Sequence, residues 1–202
     1  MPTDGCVHLI DDDGAVRESL GFVLESAGMA CVTYDSAVAF LARGAMAPPA
    51  CVVTDVRMPR INGLELVRRL RAEGLTAPVI VMTGHGDVPL AVEAMKAGAC
   101  EFLEKPFDDA VFLQAVAQAL GEWRRPTQDD ADRQRFQAVL AGLSPREAEV
   151  LRGVADGKAN KVIARDLGIS PRTVEVYRAH VMAKTQAASL SELVRMALLA
   201  AF

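Results

Sequence analysis

Short apolar runs in the first half of the sequence each lead into a side chain that can do polar chemistry. These side chains are Asp11, Asp12, Asp55, Thr83 and Lys105. If the runs are parallel strands, their carboxyl ends meet at one edge of the sheet and gather three carboxylates, a hydroxyl and an ammonium. Crowded carboxylates repel one another, and a hard cation with oxygen ligands, such as Mg²⁺, relieves that repulsion.

The chemistry that this set supports is phosphoryl transfer to a carboxylate. A metal ion beside the carboxylate orients a phosphoryl donor and screens its charge, so that the carboxylate can attack as the nucleophile. The Lys105 ammonium and the Thr83 hydroxyl are suited to bind the transferred phosphoryl oxygens. The alternative is a solvated acidic loop. That reading suits Asp13 by itself but does not explain five positions that all follow predicted strands.

The elements that must position these groups alternate over the first 120 residues. The apolar runs are nearly continuous, as is typical of strands buried on both faces of a parallel sheet, and they cover 7–10, 30–34, 52–54, 79–82 and 100–103. Amphipathic helices are predicted over about 15–26, 36–42, 64–72, 89–97 and 109–120. Gly28, Gly74 and Gly98 stand where C-terminal glycines end helices. Five strands, each followed by a helix, predict an α/β doubly wound fold with a five-stranded parallel sheet.

After residue 121 the pattern changes to helices alone. Residues 122–142 are predicted as a linker, within which 131–140 could form a helix, and residues 143–202 as an all-α domain. Ser144 and Glu147 form a capping box around Pro145. A second helix is predicted from about Asn160 to Gly168, a third from Ser170 to about Lys184, and a fourth from Ser189. Because only a tight turn separates Gly168 from Ser170, the pattern predicts a helix-turn-helix.

Charge divides the chain in the same place. Residues 143–202 carry nine Lys and Arg residues against six Asp and Glu, a net +3, which leaves −7 for residues 1–142. A basic end favours nucleic acid as its partner. A small helical bundle that docks to protein is the alternative.

The third predicted helix has one face for packing and one for DNA. Val174, Tyr177 and Val181 share a face and are expected to pack inward. The outward residues Arg172, Glu175, Val176 and Ala179 are then available to base edges in a major groove. Valine or alanine can touch a thymine methyl group, and glutamate can accept from a cytosine amino group. Phosphate contacts are expected from Lys161, Arg172, Arg178 and Lys184.

Residues 5–120 resemble the receiver domains of two-component response regulators. The matching motifs are LIDDD at 9–13, DVRMP at 55–59, NG at 62–63, MTG at 82–84 and KPF at 105–107. The resemblance implies that Asp55 is the phosphoacceptor, that Asp11, Asp12, Asp55 and the backbone carbonyl of Arg57 hold Mg²⁺, and that Lys105 contacts the phosphoryl group. It also implies a switch pair, Thr83 and Phe102, and a cis Lys105–Pro106 bond. His85 lies beside the predicted pocket, where it would tune the phosphoryl lifetime or serve as a simple loop histidine.

The last domain carries the motifs LSPRE at 143–147, NK at 160–161, IA at 163–164, IS at 169–170 and TV at 173–174. With these motifs residues 143–202 resemble the LuxR/NarL/FixJ helix-turn-helix, in which Thr173 belongs to the matching DNA-binding segment. Glu175 and Ala179 agree with the FixJ branch and differ from the lysines of the NarL branch, so the base preference should differ from that branch. Together the two resemblances imply a phosphorylation-gated transcription factor, an activator by expectation, rather than an enzyme acting beyond its own phosphotransfer. The implied partners are a sensor histidine kinase, promoter DNA, RNA polymerase and a second copy on phosphorylation. A phosphotransfer enzyme with a docking tail, and a DNA binder with a degenerate receiver, are the alternatives.

The remaining features exclude other classes. No apolar run approaches the roughly 20 residues of a membrane span, and residues 1–9 lack the basic start of a signal peptide, so a cytoplasmic protein is expected. The four cysteines, Cys6, Cys31, Cys51 and Cys100, show neither a CxxC pair nor zinc-ligand spacing. They are expected to be small buried hydrophobic residues.

Overall fold

The computed structural model of the chain describes residues 5–43, 50–84, 88–123 and 136–200. The chain divides into two compact units. The first comprises Met1–Gly86 and Lys96–Pro126, and the second comprises Asp87–Met95 and Thr127–Phe202. Within the described ranges, no helix has both the length and the apolar character that a membrane crossing requires.

Five parallel strands form one sheet in the order β2-β1-β3-β4-β5. The strands are β1 Cys6–Ile10, β2 Ala30–Tyr34, β3 Ala50–Asp55, β4 Val79–Thr83 and β5 Glu101–Glu104, and the helices are α1 Gly14–Ser26, α2 Ala37–Ala42, α3 Gly63–Ala72, α4 Val88–Ala97 and α5 Asp109–Trp123. The predicted doubly wound fold is therefore confirmed. In this order β1 and β3 are neighbours, and their connections leave in opposite directions, which opens a crevice beyond their carboxyl ends.

Local sequence signals set the ends of these helices. The side chains of Asp13, Ser36 and Asn62 accept hydrogen bonds from backbone N–H groups in the first turns of α1, α2 and α3. Gly28 and Gly74, which follow α1 and α3, have φ angles of 74° and 76°. That left-handed conformation suits glycine and stops each helix before the next strand.

The core of the sheet lies between alternating strand residues and two helices. Leu9, Val53 and Met82 face one side of the sheet and pack in a cluster with Leu24 of α1 and Phe112 of α5, all of them almost fully buried. Burial of this apolar face holds the three central strands rigid, and so fixes the edge at which the polar groups emerge.

The second unit contains a helical segment at 136–141 and the helices α6 Pro145–Ala155, α7 Asn160–Leu167, α8 Pro171–Thr185 and α9 Leu190–Leu199. The predicted capping box of Ser144 and Glu147 is present at the start of α6. Gly168 ends α7 with φ 67°, and Ser170 caps α8, so the predicted helix-turn-helix is confirmed. The core of this unit joins the 136–141 segment to α6, α8 and α9, with the buried residues Phe136, Leu140, Leu151, Val181, Leu193, Met196 and Ala197 among its members.

The cysteines are all free. Cys51 is fully buried, and Cys6, Cys31 and Cys100 are partly buried. Burial is the main cause that raises the pKa of the Cys31 thiol to about 11 and that of Cys51 well above its ordinary value. Because thiolates are the reactive form, these cysteines have the character of packing residues.

Candidate functional site

The acidic pocket forms where β1 and β3 end. Lys105, just beyond β5, donates from Nζ to Asp11 Oδ2 at 2.7 Å and to Asp55 Oδ1 at 2.8 Å. Both carboxylates are nearly buried, with side-chain exposures of 2% for Asp11 and 11% for Asp55. The sheet therefore brings together three of the predicted groups, separated by up to 94 positions in sequence.

Backbone groups orient the two carboxylates. The Arg57 N–H donates to Asp55 Oδ2 at 2.6 Å, and the Asp13 N–H donates to Asp11 Oδ1 at 2.9 Å. Arg17 of α1 donates from Nη1 to the Asp11 backbone carbonyl at 2.7 Å, a contact that the sequence pattern does not signal. The two backbone N–H bonds hold each carboxylate in one orientation, and the Arg17 bond holds the backbone of Asp11.

Gly63 lets helix α3 start directly against the end of β3. Its N–H donates to the Val56 carbonyl at 3.0 Å. A Cβ at this position would overlap the Asp55 carbonyl oxygen and lie 3.0 Å from the carbonyl carbon and 3.1 Å from Val56 Cα. The glycine of the NG motif is thus required by the close approach of two backbones at the pocket.

Lys105 carries its charge in this pocket. Partial burial lowers the pKa of Lys105, but hydrogen bonds and charge attraction from Asp11 and Asp55 outweigh burial and raise it above its ordinary value. Lys105–Pro106 is a cis bond, as expected. An ammonium held between two carboxylates screens their repulsion.

The pocket offers oxygen atoms, the type of ligand that a hard cation such as Mg²⁺ binds. Asp11 and Asp55 offer carboxylate oxygens, and an oxygen that accepts one hydrogen bond keeps a lone pair for a metal ion. The third predicted carboxylate, Asp12, is exposed, as is Arg57, whose backbone carbonyl is the other predicted ligand. Among the described residues, no three Asp, Glu, His or Cys side chains form a group that could hold a metal ion by themselves.

The predicted switch residues lie on neighbouring strands. Thr83 ends β4 and is fully buried, and its backbone carbonyl accepts from the Lys105 N–H at 2.7 Å. Phe102 of β5 is partly buried and pairs in register with Val81, two residues before Thr83. His85 lies outside the described residues.

Helix α8 presents the two faces that the sequence predicts. Val174 and Val181 are 0% and 1% exposed, and Tyr177 is half-buried. The outward residues Arg172, Glu175, Val176 and Ala179 are all exposed, and Thr173 is half-buried beside the Ser170 cap. Val176 exposes 45% of its surface on this outward face.

Two of the predicted phosphate-binding residues have partners on other helices, which sequence reasoning missed. Lys184 donates from Nζ to Glu147 Oε2 at 2.7 Å, and Glu147 is the nearly buried carboxylate of the capping box. Arg178 donates from Nη1 to Asn160 Oδ1 at 2.9 Å. Lys161 is exposed at the start of α7. Lys184 therefore ties α8 to α6, and Arg178 ties α8 to α7.

Comparisons with known proteins decide the family. Residues 7–117 match the response regulator receiver domain, and residues 141–197 match the bacterial regulatory proteins of the luxR family. The chain is 60% identical over 200 residues to the transcriptional regulatory protein FixJ of Azorhizobium caulinodans, covering 99% of this chain and 95% of that protein. The chain belongs to the FixJ-type two-component response regulators.

Other members agree over the whole length of this response regulator. It is 50% identical over 200 residues to FixJ of Rhizobium meliloti, covering 99% of this chain and 98% of that one. The crystal structure of full-length FixJ from B. japonicum matches with 50% identity, 98% coverage of both chains and a TM-score of 0.58. The protein is thus a transcriptional regulator with a receiver domain and a LuxR-type DNA-binding domain.

Proposed function

We propose that this response regulator accepts a phosphoryl group on Asp55 from a sensor histidine kinase, and that phosphorylation drives dimerisation and promoter binding. The observation that carries the proposal is the Lys105 bridge between Asp11 and Asp55 at the carboxyl end of the central strands. A solvated acidic loop would not bury two carboxylates on one ammonium.

Phosphoryl transfer uses the pocket as follows. An Asp55 carboxylate oxygen attacks phosphorus, the bond between phosphorus and the kinase's histidine nitrogen breaks, and the electron pair returns to the imidazole. Lys105 moves its hydrogen bonds from the carboxylates to the phosphoryl oxygens, where negative charge develops. The regulator thereby catalyses its own phosphorylation, and water later hydrolyses the acyl phosphate.

Mg²⁺ is the cofactor that we assign to this pocket. Asp11, Asp12, Asp55 and the Arg57 backbone carbonyl would hold it, because each offers the oxygen ligand that this cation prefers. When bound, the metal ion neutralises charge on the phosphoryl donor. Asp11 remains oriented by the Asp13 N–H, which keeps one of its oxygens directed into the pocket.

The conformational change of the receiver on phosphorylation is assigned to Thr83 and Phe102. A phosphoryl group adds roughly two negative charges beside Asp55, and a hydroxyl donor at Thr83 is drawn toward it. Phe102 on the adjacent strand then turns into the space that is released. The surface of β5 and α5 changes with it, and Val111 of α5, 47% exposed, offers an apolar contact for a second copy.

DNA recognition is assigned to α8 in a major groove. Val176 and Ala179 would contact thymine methyl groups, and Glu175 would accept from a cytosine amino group. Glu175 now pairs with Arg172 at 2.8 Å, but both side chains are well exposed, so DNA can separate them at little cost.

Phosphate contacts are assigned to Lys161, Arg172 and Arg178, with Thr173 beside them near the start of α8. Lys184 is reassigned, because its ammonium already binds Glu147. A dimer on cytoplasmic promoter DNA would then act on RNA polymerase to regulate, and by expectation activate, transcription.

The test is phosphorylation of an Asp55→Asn variant by acetyl phosphate with Mg²⁺. The amide is not a nucleophile, so the slower band of a phosphate-affinity gel should be lost. Asp35→Asn is the matched control, since Asp35 follows β2 at the same edge of the sheet but is exposed. A shifted band of wild-type intensity in Asp55→Asn would overturn the assignment.

A further inference from the structure

At least five of the nine Lys and Arg residues that the structure describes in the second unit are paired with carboxylates. The pairs are Arg146–Glu149, Lys158–Asp166, Arg165–Asp166, Arg172–Glu175 and Lys184–Glu147. A cation that already has a carboxylate partner must release it, or share it, before it can bind a phosphate group. Such a cation is a weaker anchor for a DNA backbone than one without a carboxylate partner, except in the well-exposed Arg172–Glu175 pair, which separates at little cost.

Arg178 is held differently. Its guanidinium is half-buried on the flank of α8, between the inward residue Val174 and the outward residue Glu175, and its hydrogen-bond partner is the neutral amide of Asn160. Within the part of the chain that the structure describes, this is the one side-chain hydrogen bond of Arg178, so its other N–H donors stay available. Its guanidinium is therefore held in place by a neutral partner and without a hydrogen bond to a carboxylate.

Partial burial also affects how strongly the Arg178 guanidinium attracts a phosphate group. Partial desolvation lowers the pKa of Arg178, which Glu175 offsets only through its charge. A half-buried cation with a neutral partner gains more from an incoming phosphate than a solvated one does, because the surrounding medium screens the attraction less. Its remaining fork of donors matches two phosphate oxygens.

We propose that Asn160 is a positioning residue for DNA binding, because its amide oxygen holds the Arg178 guanidinium in the orientation in which it binds a backbone phosphate. The proposal rests on the assignment of Arg178 to a phosphate. Asn160 begins α7 and Arg178 lies 18 residues later on α8, so the hydrogen bond also sets the phosphate contact relative to both helices of the motif. Asn160 itself need not touch DNA.

The test is a double-mutant cycle on the full-length protein with beryllofluoride and Mg²⁺. Asn160→Ala, Arg178→Ala and the double variant are titrated onto a fluorescein-labelled 25-base-pair duplex of arbitrary sequence, between about 50 and 200 mM salt. Arg178→Ala should lower the slope of log affinity against log salt by about one. Asn160→Ala should weaken binding about three- to tenfold and leave that slope unchanged, because the phosphate contact persists in a less ordered form.

The effect of Asn160→Ala on DNA affinity must depend on whether Arg178 is present. In the Arg178→Ala background, Asn160→Ala should cost nothing further. Arg146→Ala is the matched control for loss of a positive charge, since Arg146 lies on α6 in an exposed pair with Glu149. Urea unfolding of each variant separates loss of fold from loss of contact.

Two results would overturn the inference, and they can be told apart. If Arg178→Ala weakens binding but Asn160→Ala is silent, or costs the same in both backgrounds, Asn160 does not position Arg178 and the phosphate assignment stands. If Arg178→Ala changes neither affinity nor salt slope, the phosphate assignment itself is wrong.

Discussion

Replacing Gly63 by alanine should damage the receiver at the pocket itself. The added Cβ would overlap the Asp55 carbonyl oxygen and lie 3.0 Å from its carbon and 3.1 Å from Val56 Cα. All three atoms are backbone, so no side chain can turn away, and the start of α3 must move from the end of β3. Overpacking of this kind costs about 1–3 kcal/mol.

The expected fall in melting temperature follows from the number of residues in the receiver domain. The receiver match spans residues 7–117, and an unfolding entropy of about 2.1 cal/mol/K per residue gives this domain about 0.23 kcal/mol per kelvin. The receiver transition of the full-length protein should therefore fall by about 4–13 °C in calorimetry. Phosphorylation by acetyl phosphate should also slow, by up to about 100-fold, because Asp55 is displaced from Lys105.

Gly121→Ala is the matched control for the Gly63 variant. Gly121 lies in α5 with open space around its Cα, so alanine should be neutral or should stabilise the helix by up to about 1 kcal/mol. A Gly63→Ala protein that melts and is phosphorylated like the wild type would show that α3 can withdraw from β3 at no cost. The account of the NG motif would then be wrong.

Two further predictions concern the switch and the DNA-binding unit. Beryllofluoride should increase the mass measured by light scattering, and Thr83→Ala should lose that increase while still binding beryllofluoride; unchanged dimerisation in the variant would remove Thr83 from the switch. The hydrogen bond from Lys184 is the first cause that lowers the pKa of Glu147 to about 2, from an ordinary 4.5. This pair should therefore stabilise the protein above about pH 4.5 and lose its effect as pH falls toward 2. Lys184→Met should unfold at lower urea than wild type at pH 7, with a difference that shrinks in acid, whereas Arg146→Met, which breaks an exposed pair, should change little. A difference that does not depend on pH would refute the role given to Glu147.

Elements and motifs could be predicted because their signals are local. The apolar runs, the capping residue Ser144 and the glycines after α1 and α3 act within a few positions of chain. They therefore define helices and strands without reference to the rest of the chain. The parallel doubly wound sheet followed from the alternation of those elements. The gathering of Asp11, Asp55 and Lys105 followed in turn, because strand ends in such a sheet share an edge.

Contacts between side chains of distant elements were decided only by the tertiary structure. In the sequence, Lys184 and Arg178 are alike, because both are cations on the predicted recognition helix. In the structure, Lys184 binds the buried carboxylate of Glu147, 37 positions earlier, whereas Arg178 binds the amide of Asn160, 18 positions earlier. No periodicity carries that information, because it depends on how α6 and α7 cross α8. The sequence by itself determined the family, the acidic pocket and the helix-turn-helix. The packing of the helices determined that Lys184 meets a carboxylate whereas Arg178 meets a neutral amide.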